Sequence, residues 1–152
     1  MAATDITTFP TATNRILVHG DNQYTFTAAE TLKAGQVVCV KATGGDFKIY
    51  QSDSSLAIPP IGVVDQNATS GDTDVTVNLW GTVCYVANHD DTTSVSAGAA
   101  LILTTTTATA ASGTVTAWAG GGSEYIIGTA ITDIAANGWG QAMILPQLSL
   151  IT

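Results

Sequence analysis

The chain has 152 residues, 45% of them apolar and 11% charged, with a formal net charge of −8. That length fits one domain or two very small ones, and no apolar run nears the roughly 20 residues of a membrane-spanning helix. All the cations, Arg15, Lys33, Lys41 and Lys48, precede residue 49, and the remainder carries acids only, the reverse of the clustered Lys and Arg that direct nucleic-acid binding requires. The opening MAATDITTFP has neither the basic nor the apolar region of a secretory signal, so use without secretion is expected. An ordinary soluble domain carries about 25% charged residues, so the low charge here predicts a surface largely covered by neighbouring protein.

In chain order, residues 1–20 read as an extended N-terminal arm in which Ile6, Phe9, Pro10, Ile16, Leu17 and Val18 stand among threonines, with Arg15 the one cation. Arg15 is the expected first tryptic site, since it lies in that arm. Thr27-Ala28-Ala29-Glu30 has a capping-box pattern and allows a single helical turn before Gly35. From there strand formers dominate, in short runs separated by Gly, Asp, Asn and Ser. Gln36–Lys41 and Phe47–Gln51 flank the tight turn Thr43-Gly44-Gly45-Asp46. Ile61–Asp65 follows a double proline, which has no place in a central strand. After the Ser70-Gly71-Asp72 turn, Asp74–Trp80 alternates with Val75, Val77 and Leu79 on one face; Gly81 suggests a bulge, and Thr82–Ala87 continues. Ala99–Thr105, Thr114–Trp118 and Tyr125–Ile131 are the next strands, with turns at Ser112-Gly113 and at the glycines 120–122. Asn137-Gly138 is the strongest hairpin dipeptide, and Gln141–Leu145 closes before Pro146.

The two halves repeat each other. Lys33-Ala34-Gly35 matches Ser96-Ala97-Gly98, GDFKIY (45–50) matches GTVTAW (113–118), and Gly62 in PPIGVVDQ matches Gly128 in YIIGTAITD. Further on, Gly71 is set against Gly138 and Val75–Leu79 against Gln141–Leu145. The extra length of the second half falls in the Thr/Ala-rich stretch 104–111. The pattern predicts an all-β fold: a compact barrel or sandwich-like domain (21–152) built from two similar tandem β-units, about 24–81 and 82–146, behind the arm 1–20.

No constellation carries chemistry. His89-Asp90-Asp91 reads as a solvated loop rather than a cation site, and Asp65, Asp72 and Asp74 lack EF-hand spacing. The glycine pairs and runs have no following Lys-Ser/Thr, and no nucleophile–base pair has a familiar spacing. Cys39 and Cys84, each in an apolar run, read as small buried hydrophobes, with a disulfide open if their strands are neighbours. No metal, no cofactor and no enzymatic activity are expected.

The tandem pattern AGQVVCV, PPIGVVDQ, SGDTDVTVNLWGTV, then SAGAALIL, GTVTAW, YIIGTAITD and NGWGQAMILP resembles the capsid cement, or head decoration, proteins of tailed bacteriophages, over about Tyr24–Pro146. That family is sometimes labelled recombinase-like, a label with no phosphate loop or basic patch to support it here. The resemblance implies a homotrimer on the outer surface of an icosahedral head, made in the host cytoplasm, clamping adjacent subunits of the major capsid protein. The arm residues Ile6, Phe9, Pro10, Arg15, Ile16 and Leu17 are then expected to contact the capsid. Trp80, Trp118 and Trp139, at strand ends, are expected at subunit interfaces or in the core. The alternative is a carbohydrate-binding or adhesin β-module of a tail or cell surface, with the same tryptophans as sugar-stacking platforms.

Overall fold

The computed structural model describes residues 15–43, 46–52, 58–88, 93–103, 113–121 and 124–149. Its strands are β1 (Leu17–His19), β2 (Gln23–Ala28), β3 (Val37–Thr43), β4 (Asp46–Gln51), β5 (Pro60–Val64), β6 (Val75–Asn78), β7 (Val83–Ala87), β8 (Ala100–Leu103), β9 (Val115–Ala117), β10 (Glu124–Ala130) and β11 (Trp139–Ser149). Among the described residues there is no helix: Thr27 and Ala28 belong to β2, and the Glu30 carboxylate accepts the Gln51 amide at 2.7 Å. The β-branched content of the segment outweighs its capping-box pattern.

The fold is all-β and consists of two units with one plan. In the first, β4 pairs β3, β3 pairs β5, β5 pairs β6 and β6 pairs β2. In the second, β9 pairs β8, β8 pairs β10, β10 pairs β11 and β11 pairs β7, the same order strand for strand. The units differ in closure. β2 also pairs β4 in parallel, which closes the first unit into a five-stranded barrel. In the second, β1 takes the edge of β7, and among the described residues no pairing joins β1 to β9, so that sheet is open there.

The repeated glycines mark the repeated geometry. Gly62 and Gly128 each follow a bulge, at Ile61 and Ile127, where the partner strand advances one residue fewer. A side chain on Gly62 would collide with the carbonyl of Asn78, and one on Gly128 with that of Met143. Each glycine is therefore required by the backbone of the next strand, not by its own torsion. The small bridges match too: Leu32 exchanges main-chain bonds of 2.9 Å with Ala68, and Val95 exchanges bonds of 2.8 Å with Ile134.

The later register differs by one residue from the sequence pairing. Ala28 N–H donates to Asp72 (2.9 Å) where Asn88 N–H donates to Gly138 (2.9 Å), so Gly71 corresponds to Asn137, both at positive φ. Asparagine tolerates that conformation, so it replaces glycine there. Likewise Thr76, not Val75, corresponds to Gln141, since they accept the Asp65 and Ile131 amides at 2.9 and 2.8 Å. Asn137-Gly138 is thus a turn inside the β10–β11 connection rather than a two-residue hairpin, and Gly81 lies in the turn joining the units, not in a bulge. β11 runs on through Pro146, which is tolerated at a bulge opposite Ile127, between the Gly128–Ile144 and Ile126–Gln147 pairs. Gly44 and Gly45, the loop 89–92 and the stretch 104–112 lie outside the described residues.

Burial explains the unbroken apolar runs in β3 and β5. Val38 and Val64 face the barrel interior with Leu32, Ile49, Val75 and Val77. Val37 and Val63 point the other way, into a second core with Cys84, Val86, Leu101, Ile127 and Ile144. The closed barrel thus lends its outer face as a wall to the open unit, and strands buried on both sides lose their alternation. Main-chain bonds seal the seam: Val37 N–H donates to Gly113 (2.8 Å), and Gly113 N–H donates to Ser52 (3.1 Å).

Candidate functional site

Inward-facing side chains fill the barrel except at one end. There Phe26, Val40, Ile61 and Leu79 are only partly buried, and with Asn22, Trp80 and Pro146 they line an open hollow of about 460 Å³. None of these residues is charged. Tyr24 lies on the Phe26 face of β2, edge-on to that ring at 5.2 Å, and Phe47 lies on the Ile49 face of β4. Tyr24, Phe47 and Trp80 are 64%, 71% and 54% exposed. Exposed aromatics beside an uncharged hollow form an apolar patch of the kind found at interaction surfaces. Asn22 helps to fix the rim by donating from Nδ2 to the Trp80 carbonyl at 3.0 Å. Of this set the sequence singles out only Trp80; the signal available for the rest was the Tyr24/Phe26 alternation at the start of β2.

A polar joint lies elsewhere, between the units. Asp65 is buried, and its carboxylate accepts from Arg15 Nη1 (2.8 Å), the Ile16 amide (3.1 Å), the Leu17 amide (2.9 Å) and Asn78 Nδ2 (3.1 Å). Asn78 Oδ1 in turn accepts from Gln23 Nε2 at 2.6 Å. Burial, and then the charge of Asp65, push the nearby Cys84 thiol far up, against a hydrogen bond with Asn78 that pulls the other way. A thiol so placed stays protonated and inert. Cys39 and Cys84 are both buried and not joined in a disulfide; they lie on β3 and β7, which do not pair. Asp72 Oδ2 accepts the Thr69 amide (2.7 Å) in a local turn, apart from the Asp65 joint.

These contacts revise the arm. Residues 15–19, expected in the arm, belong to the fold: Ile16 is fully buried in the second core, its carbonyl accepts the Tyr85 amide, and Leu17 pairs Cys84. Ile16 is therefore not available to a capsid, because the open unit needs it to fill its own core. Arg15 is ion-paired yet half exposed. Ile6, Phe9 and Pro10 lie outside the described residues. Among the tryptophans, Trp139 packs against Gly35 and joins the two units within one chain. Trp118 is half-buried, and its indole N–H is covered without an acceptor among the described residues. Trp80 is the exposed one of the three.

The fold is similar to that of the head fiber gp8.5 N base of bacteriophage phi29, with a TM-score of 0.55 and 15% identity, over 80% of this chain and 92% of that one. No family model and no curated protein matches the sequence. At that identity the likeness is one of fold.

Proposed function

We propose that the protein is a structural component of a phage virion that decorates the outside of the head. It acts as a homotrimer, stabilising the shell by clamping adjacent subunits of the major capsid protein. The carrying observation is the fold shared with a phage head fiber base over most of both chains, and the sequence resemblance to head decoration proteins agrees with it. The side chains suit adhesion better than catalysis. The one deeply buried carboxylate among the described residues is saturated by donors, the adjacent thiol is held protonated, and the surface carries an uncharged hollow rimmed by aromatics. Ile6, Phe9 and Pro10 keep a role in contacts between subunits or with the shell. Mixing the purified protein with undecorated heads tests this: saturable co-sedimentation is expected, with trimers in sedimentation equilibrium. Failure to bind heads at saturating protein would sink it.

One observation favours the second reading, an adhesin or carbohydrate-binding module: Trp80 stands half exposed at the lip of the hollow, where a sugar face can stack. A glycan-array screen with Trp80→Ala as control separates the two.

A further inference from the structure

The hollow at the barrel end is lined by apolar side chains, and the chain carries an uncharged segment with large apolar residues outside the described ones. We propose that Ile6, Phe9 and Pro10 of one copy insert into the barrel mouth of a second copy, so that the N-terminal segment straps protomers together; this rests on the homo-oligomer proposed above.

The chemistry matches on both sides. The mouth offers Phe26, Val40, Ile61 and Leu79 with no charged group. Residues 6–14, ITTFPTATN, contain no charged side chain, so their entry strands no ion in an apolar setting. A volume of about 460 Å³ lies within the roughly 300–1,000 Å³ of pockets that enclose small ligands, ample for a phenyl ring with the adjoining prolyl ring. Pro10 also fixes one torsion beside Phe9, which lowers the entropy lost on docking.

Direction favours the second copy over the chain's own mouth. The Asp65 carboxylate holds the Ile16 and Leu17 amides. From there β1 runs antiparallel to β7, from Ile16 beside Tyr85 to His19 opposite Val83, and Gly20 then packs on Thr82. The mouth lies beyond, at Leu79 and Trp80, on the side where β1 exits. Ile16 therefore lies at the end of β1 away from its own mouth, and a segment entering that mouth from there would have to double back along β1. Fourteen residues extend to about 46–50 Å, more than the width of a domain whose radius of gyration is about 14 Å, so a neighbour is within reach.

Disulfide trapping tests this. Phe9→Cys and Trp80→Cys are made in separate chains; the native cysteines are buried and do not compete. Mixed and mildly oxidised, the two variants should give a covalent dimer that neither gives alone, and the double variant should give covalently linked oligomers. Phe9→Asp should raise the dissociation constant of the oligomer at least about tenfold with the melting temperature of the protomer unchanged. Crosslinking of the double variant only within one chain would overturn the exchange between copies. An oligomer that persists with Phe9→Asp and gives no crosslink would overturn the strap while leaving the oligomer standing. A monomer at micromolar concentration would overturn both.

Discussion

The indole of Trp139 lies against Gly35 so closely that a side chain on the glycine would occupy the ring. Gly35 sits at φ +92°, and its counterpart in the second unit, Gly98, sits at φ +89° with open space where a Cβ would be. The two positions share a backbone and differ in what faces them. Gly98→Ala should cost about 1 kcal/mol, the torsional part alone. Gly35→Ala adds the displacement of Trp139 and should cost about 2–4 kcal/mol. Denaturant titrations of the two variants give the difference directly.

Gly62 and Gly128 should be the least replaceable of the described glycines. At both, the obstacle is a carbonyl of the adjacent strand, Asn78 or Met143, which cannot rotate away as a side chain can. Alanine at either position should cost more than about 3 kcal/mol, in the range of the severe single substitutions. Gly71→Ala, with nothing near its Cβ, should stay close to about 1 kcal/mol. Equal stability of the three variants would show that the strands can move apart to admit a methyl group.

Asp65 and Arg15 should behave unequally although they form one ion pair. Arg15 is half exposed, and Arg15→Ala should cost under about 1 kcal/mol. Asp65→Ala leaves two main-chain amides and the Asn78 side chain without their acceptor, and should cost about 3–5 kcal/mol. Proteolysis should show the same asymmetry. The Arg15–Ile16 bond is embedded in the fold, so trypsin should leave it intact in the native protein, contrary to the expectation of a free arm. In Asp65→Ala that bond should become the first one cut, as read by mass spectrometry of the products.

Cys84 should make stability fall in mild alkali. Its native thiol is held protonated, whereas an unfolded-chain thiol ionises near pH 8.5. Above that pH the unfolded state has released a proton that the native state retains, so stability is full below about pH 8.5 and declines as pH rises, by up to about 1.4 kcal/mol per pH unit. Melting curves between pH 8 and 9.5 should show this decline, and Cys84→Ala should flatten it. A thiol reagent should label neither buried cysteine until the protein is unfolded.

The local features were legible because local chemistry decides them. The β3–β4 strands, the Ser70-Gly71 turn and the glycine pair 62/128 follow from strand formers, turn residues and one residue type without a side chain. Closure was not legible. The parallel pairing of Thr27 with Lys48 and the pairing of Leu17 with Cys84 join distant stretches, and hydrophobic periodicity names a strand's buried face without naming its partner. For the same reason Ile16 read as part of an arm: a short apolar run such as Ile16-Leu17-Val18 looks alike whether it fills a core or reaches outward. The one-residue offset between Gly71 and Asn137 was hidden because asparagine holds the left-handed conformation that the pairing had sought in Gly138. The barrel mouth left a fainter signal, since Phe26, Val40 and Leu79 show the alternation of any half-buried strand.

The lending of a wall by the closed barrel to the open unit sets an order of events during synthesis. Every pairing that closes the barrel lies between Gln23 and Asn78, so it can form once that stretch has cleared the ribosome, before the second unit has emerged. The second unit has no such independence. It needs Val37 and Val63 already presented on a finished surface, and Ile16 held in reserve until β7 arrives. Translation in the N-to-C direction supplies those parts in the order required, and a circular permutant that began at β7 would present the dependent half before its template. Such a permutant should reach the same final structure more slowly, and with more aggregation, than the natural order.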